Sequence, residues 1–322
     1  MRIQIADRIA LARTERIDDG SHTHGAEFSP QRHVRYAVDD RKSPSVPVPW
    51  GGQQYRGKTS RQKSNRALQS FRLLPAKYLL SMTAFLLTPP AAQDVHIWRW
   101  NLDVSDAEID GYWQTLSEQE RERAGKFRFD LHRRRFVAGR GELRRLLGAY
   151  LGLAPHAVSL DYGTEGKPFC TSQPAHWTLC FNLSHSDNTA ALAVSNGIEI
   201  GIDVEIVRPV EESMPVEVFS TRERAQFATL PEAQRQAVFF ETWARKEACL
   251  KALGTGFILP PDHFEFDLAV RGDTTPCCVG GDAHEAAHWR IQTLQNGMQD
   301  RPDCAGAVAA RHADWSLVFM NS

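Results

Sequence analysis

The sequence predicts an α+β protein made of two similar halves that meet near residue 200. Two patterns carry this: a helical stretch followed by strands occurs twice between residues 105 and 320, and an unbroken period-two alternation, Ile198 to Ile206, falls where the repeats meet. Composition agrees. With 322 residues, 42% hydrophobic, 24% charged and 9% aromatic, the chain can bury one or two cores, and collagen-like, coiled-coil or wholly disordered architectures are excluded.

Residues 1 to 81 stand apart, with 15 Lys and Arg against 7 Asp and Glu, whereas the rest of the chain holds 23 against 32. Their Arg, Ser, Gln and Gly content and the stretch Ser43 to Gln54 (SPSVPVPWGGQQ) predict disorder. A leader or basic interaction arm is one reading, although seven acids suit a transit peptide poorly. The favoured reading is a dispensable extension ahead of a natural start at Met82. The halves are then 82–200 and 201–322.

Val95 to Asn101 (VHIWRWN) alternates as a strand, and Ser105 to Arg121 opens with acidic helix-start residues and continues as a polar helix. Residues 117 to 151 read as helical. Phe136, Leu143, Leu147 and Tyr150 share a packing face, while Arg133, Arg134, Arg140, Arg144 and Arg145 predict a strongly basic one. Tyr162 to Pro168 is a glycine-containing turn, Trp177 to Leu183 alternates, and Thr189 to Ser195 is a short strand of small residues. In Ile198 to Ile206 the aliphatic residues point one way and Glu199, Gly201, Asp203 and Glu205 the other. A helix from about Pro231 to Leu253 ends at Gly254, and strands are expected at Phe264 to Val270, Trp289 to Leu294 and Trp315 to Met320.

Six cysteines without a CxxC indicate a reducing cytoplasm, and the longest apolar run, Leu68 to Leu87, is broken by Arg72, Pro75 and Lys77. No membrane span is expected.

Several residues have the types and spacing for chemistry. Asp203 and Glu205, two apart on a strand, put their carboxylates on one face about 7 Å apart, near enough to bind a hard cation; a solvated strand face gives the same pattern. Trp243, Glu247 and Lys251 recur every four residues on one side of a helix, where Glu247 and Lys251 form either a surface ion pair or a third metal carboxylate beside a phosphate-facing lysine. Asn182 to Ser186 (NLSHS) ends an alternating strand; Ser184 and His185 face opposite ways, which excludes a hydrolase pair and leaves anion binding or a polar turn. Gly163 to Lys167 (GTEGK) suits backbone approach to a phosphate without being a Walker loop. His284 to His288 (HEAAH) matches the zincin pattern, but Trp289 to Leu294 alternates as a strand immediately afterwards and leaves no room for the long helix such a site requires.

Taken in order, Gly166-Lys167-Pro168, Phe181 to Ser186, Gly201-Ile202-Asp203-Val204-Glu205 and Trp243 to Lys251 (WARKEACLK) resemble the Sfp-type 4'-phosphopantetheinyl transferases in sequence and spacing. The resemblance covers about residues 95 to 320. It implies two pseudo-symmetric α+β halves with the active site at their junction, Mg2+ held by Asp203, Glu205 and Glu247, and Lys251 on the phosphates of coenzyme A. By the same resemblance, Arg123, Arg140 and His185 meet the 3'-phosphate. Tyr162, Gly163, Thr164, Glu165, Gly166 and Lys167, with Asn182, Leu183 and Ser184, line the nucleotide pocket.

The implied reaction moves 4'-phosphopantetheine from coenzyme A to a serine of an acyl or peptidyl carrier protein and releases 3',5'-ADP. Charge developing on the pyrophosphate needs Mg2+, Lys251 and arginine, and the serine proton goes to Glu247 or a metal-bound water. Asp203, Glu247 and Lys251 are therefore the expected catalytic set, in a chain that works as a monomer without nucleic acid or membrane. The competing reading is a nucleic-acid or protein interaction module built on the basic arm and the Arg-rich helix, which leaves the aligned carboxylates unexplained.

Overall fold

Two small sheets standing edge to edge, each backed by one long helix, form the frame of the molecule. The computed structural model describes residues 86–211, 213–255, 258–294, 301–312 and 314–320; the expectations of disorder over 1 to 81 and of a start at Met82 lie outside them. In chain order the elements are β1 (Asp94–Asn101), α1 (Asp106–Thr115), α2 (Glu118–Gly125), α3 (Asp130–Leu151), β2 (Leu160–Tyr162), β3 (Pro168–Cys170), β4 (Leu179–Ser186), β5 (Thr189–Asn196) and β6 (Ile200–Ile206). There follow α4 (Met214–Val218), α5 (Thr221–Thr229), α6 (Glu232–Leu253), β7 (Phe264–Glu265), β8 (Cys278–Val279), α7 (Ala283–Ala286), β9 (Arg290–Thr293), β10 (Cys304–Ala310) and β11 (Ser316–Phe319).

The first sheet has the order β11-β1-β5-β4 and the second β6-β10-β9. β5 pairs antiparallel with β1 (Ile97 opposite Ala193) and with β4 (Ser184 opposite Ala191), while β11 returns from the chain's far end to pair parallel with β1. Their junction is apolar: Val95, Ile97, Ala191 and Ala193 of the first sheet pack with Ile200, Ile202, Val204, Val308 and Trp315 in one buried cluster. Burial of this area from water is the main term holding the halves together.

The halves repeat each other in detail. α3 and α6 each run 22 residues and stop at a left-handed glycine, Gly152 and Gly254, both at φ 67°, a conformation that a side chain disfavours. Each is preceded by a short helix opened by a Ser-x-x-Glu capping box, Ser117 with Glu120 and Ser220 with Glu223. Both glutamates are buried and reach across to the same position of the long helix, Glu120 to Arg144 and Glu223 to Lys246, at 2.6 Å in each case.

Several expectations are revised. The helical stretch 117 to 151 is broken between Gly125 and Asp130, and the strand expected over Phe264 to Val270 is only Phe264–Glu265. NLSHS forms the last five residues of β4, the edge strand of its sheet, as expected. β10 (CAGAVAA) was not expected, because small residues without alternation carry no period; it is a strand because α6 packs over it and both its edges are paired. The basic face of α3 is largely neutralised. Arg134 bonds Asp106, Arg135 bonds Asp103 and Asp187, Arg145 bonds Glu142, and Arg140 and Arg144 are buried on Glu120.

Candidate active site

The edge strands β4 and β6 meet through side chains. Asn182 Oδ1 accepts the Ile202 N–H at 2.9 Å, Ser184 Oγ the Val204 N–H at 3.4 Å and Ser186 Oγ the Ile206 N–H at 3.2 Å. Because strand side chains alternate, these three residues share one face and form a ladder of polar rungs against the backbone of β6. The same two hydroxyls donate to carboxylates: Ser184 to Asp203 Oδ1 at 2.8 Å and Ser186 to Glu205 Oε2 at 3.0 Å.

Asp203 and Glu205 are 0% and 1% exposed, so the solvated-face reading of β6 is wrong. α6 covers that face, and it comes close enough only because residue 201 is glycine: a Cβ there would stand 2.0 Å from the Ala248 carbonyl oxygen. From α6, Trp243 Nε1 donates to Glu205 Oε1 at 3.0 Å, and Lys251 Nζ donates to Asp203 Oδ1 at 2.5 Å and to Ser184 Oγ at 3.0 Å. Arg208 stands 3.9 Å from Glu205. Glu247, buried, lies on α6 one turn before Lys251, whose ammonium goes to Asp203; the surface-pair reading of Glu247 and Lys251 is therefore replaced.

Burying three carboxylates in one seam is costly unless cations and donors meet them. Among the described residues, no three His, Cys, Asp or Glu side chains already converge on one point; the cation against Asp203 is Lys251. The donor set nonetheless suits a hard divalent ion, since it is all carboxylate oxygen backed by hydroxyl and indole donors.

A second cluster lies in the first half. Arg123 and Tyr162 line an open cleft with Ser117, Gln119, Glu120, Arg144 and Leu160, and Arg140 donates to the Tyr162 hydroxyl at 2.9 Å and to Glu120 at 2.7 Å. Burial acts to raise the Glu120 carboxyl, yet Arg140, the Ser117 backbone and Arg144 together hold it below its ordinary value. Three guanidinium groups against one carboxylate leave the cleft positive.

The remaining expected residues fall around these clusters. Gly163, Thr164, Glu165 and Gly166 form the turn between β2 and β3, closed by the Gly163 N–H on the Lys167 carbonyl at 2.9 Å. Lys167 reaches Glu199 at 3.0 Å and the carbonyls of Ile200 and Ala252 at 3.1 and 3.4 Å, tying this turn to the start of β6 and the end of α6. Asn182 and Ser184 are buried in the ladder, Leu183 packs with the core under α3, and His185 is exposed on the opposite face from Ser184. Sequence reasoning missed Ser186, Glu120 and Arg144. Ser186 was legible as the next residue in register after Asn182 and Ser184, and Glu120 as the last position of a capping box. In HEAAH, Glu285 binds Arg311 through both oxygens, at 2.6 and 2.9 Å, and this hydrogen bonding draws its carboxyl down to about 2.

Comparison with known proteins decides the family. Residues 199–309 match the 4'-phosphopantetheinyl transferase superfamily, and residues 99–197 match its N-terminal region, described as 4'-phosphopantetheinyl transferase, N-terminal. The 4'-phosphopantetheinyl transferase HetI of Nostoc sp. is 46% identical over 234 residues, covering 71% of this chain and 93% of that one. The chain belongs to the 4'-phosphopantetheinyl transferase superfamily. Further relatives of this transferase are a putative 4'-phosphopantetheinyl transferase of Synechocystis sp., 32% identical over 58% of this chain and 74% of its own, and a phosphopantetheinyl transferase of Thraustochytrium sp., 31% identical over 70% and 81%. Among its described residues, no helix is long and apolar enough to cross a membrane.

Proposed function

We propose that this transferase moves 4'-phosphopantetheine from coenzyme A to a serine of an acyl or peptidyl carrier protein, releasing 3',5'-ADP, with Mg2+ held by Asp203, Glu205 and Glu247. The observation that carries the reading is the buried seam in which Asp203 and Glu205 of β6 bond Lys251 and Trp243 of α6, with Glu247 buried midway between those two on the same side of the helix. A bound Mg2+ would neutralise charge developing on the pyrophosphate.

The chain's own groups supply the rest. Lys251, at the mouth of the seam, turns from Asp203 to the phosphates and carries their negative charge. Arg123 and Arg140, on the positive cleft, bind the 3'-phosphate, and Tyr162 with the turn from Gly163 to Lys167 borders the adenosine. The attacking serine hydroxyl, too weakly acidic by itself at neutral pH, would give its proton to Glu247 or to a water that the metal would hold. Six unpaired cysteines fit work in the cytoplasm, and a chain that contains both halves of its site works as a monomer. The basic-module reading loses support, because the arginines of α3 are engaged with acids of this same chain.

Mass spectrometry of an apo carrier protein incubated with enzyme, Mg2+ and coenzyme A tests this. One phosphopantetheine mass is gained with wild type and lost with Asp203→Ala. No gain on fatty-acid, polyketide and peptide carriers would overturn it.

A further inference from the structure

We propose that Ser186 is a positioning residue that fixes Glu205 for divalent-cation binding; this rests on the metal reading above. A serine hydroxyl has one proton to give and lone pairs to accept with. In Ser186 both uses are taken along one line: it accepts the Ile206 N–H at 3.2 Å and gives its proton to Glu205 Oε2 at 3.0 Å. The backbone donor comes from the residue directly after the carboxylate, so hydroxyl and carboxylate are referenced to the same stretch of β6. The hydroxyl therefore cannot swing away without depriving the part-buried Ile206 N–H of its partner.

The other oxygen, Glu205 Oε1, receives the Trp243 indole N–H at 3.0 Å. Both oxygens thus take a hydrogen bond from a neutral donor, one from β4 and one from α6, in a site 1% exposed, with the Arg208 guanidinium farther off at 3.9 Å. Asp203 is arranged differently. Its Ser184 hydroxyl bond is supplemented by the Lys251 ammonium at 2.5 Å, which must move when a phosphate or cation arrives. Glu205 is consequently the ligand that keeps its orientation with and without the ion, and Ser186 is the group that sets it. Outer partners of metal ligands commonly change metal affinity by about 10–100-fold when removed.

The test is Mn2+ binding to the full chain, followed by the loss of the free-ion electron paramagnetic resonance signal, for wild type and Ser186→Thr, Ser186→Cys and Ser186→Ala. Affinity is expected to follow donor strength: near wild type for Thr, intermediate for Cys, and about 10-fold or more weaker for Ala. Transfer by Ser186→Ala should recover at saturating Mg2+ with its KM for coenzyme A unchanged, which a general loss of structure would not permit. Should Ser186→Ala not fold, the Thr and Cys variants still decide the order. Wild-type Mn2+ affinity in Ser186→Ala, or in Cys where Ala does not fold, would overturn this inference alone. Absence of Mn2+ binding by wild type in the presence of coenzyme A would overturn the metal reading itself.

Discussion

Trp243 and Glu205 are joined by an indole N–H to carboxylate hydrogen bond of 3.0 Å, between residues 38 positions apart and both nearly devoid of solvent. Trp243 therefore belongs both to the apolar cluster under α5 and α6 and to the polar seam beside it. Trp243→Phe keeps most of the ring volume and removes the donor. We expect a loss of about 1–3 kcal/mol in stability from the uncompensated carboxylate oxygen and a higher Mg2+ requirement, read by urea unfolding and by transfer rate against Mg2+ concentration.

Gly201→Ala should be far more damaging than its one methyl group suggests. The added Cβ would lie 2.0 Å from Ala248 O and 2.4 Å from Ala252 N, both backbone atoms of α6, and a helix backbone cannot yield as a side-chain tip does. Displacing α6 carries Glu247 and Lys251 away from Asp203. Transfer should fall by more than about 100-fold, since misplacement of reacting groups by an ångström has that effect; wild-type kinetics in this variant would show that α6 tolerates the shift.

The Lys246–Glu223 pair is wholly buried, with Glu223 also accepting the Phe266 N–H at 2.8 Å and Lys246 donating to the Pro261 carbonyl at 3.2 Å. Lys246→Met leaves a buried carboxylate without its cation and should destabilise by about 3–5 kcal/mol. Adding Glu223→Leu should recover part of that loss. A double variant weaker than Lys246→Met alone would show that the Phe266 bond matters more than the ion pair.

His96 gives a pH dependence. Burial lowers its pKa below the ordinary 6.5, against a smaller opposing effect of Asp94, and its Nδ1 lies 2.7 Å from the Tyr150 hydroxyl, which also accepts from Trp98 Nε1 at 2.9 Å. With the indole donating, the phenol proton goes to a neutral His96. The unfolded chain then binds the proton more readily, so stability is full above about 6.5 and declines as pH falls from there toward the folded value. Thermal midpoints between pH 8 and 5.5 should drop more steeply for wild type than for His96→Phe; parallel curves would remove His96 as the cause.

Thiol chemistry should be slow. Burial pushes Cys170 and Cys180 up to about 11 and raises Cys249 as well, so only about one in a thousand of the first two is thiolate at pH 8. Iodoacetamide at that pH should leave these three unmodified until denaturant is added, as read by peptide mapping.

The face carrying Asp203 and Glu205 was legible because Ile198 to Ile206 alternates without a break, and Trp243, Glu247 and Lys251 because four-residue steps keep one side of a helix. What these faces meet was not legible. β6 is covered on both sides, so its acids lie in a seam rather than in water, and that fact belongs to α6 and to Gly201. The arginines of α3 read as a basic surface because their partners, Asp103, Asp106, Glu120 and Asp187, come from other segments of the chain. β10 was invisible for the opposite reason: its small residues are chosen to lie under α6 and leave no pattern of their own.

β11 ties the chain's last described strand to its first, through the pairs Asp94 with Ser316 and Ile97 with Phe319. A fragment stopping after β5 would expose that edge of β1 as a template for other chains, and one beginning at β6 would carry a strand without its sheet. The pseudo-repeat therefore does not make two interchangeable modules: neither half is a viable split-protein fragment, and heat should melt the described body in one cooperative step.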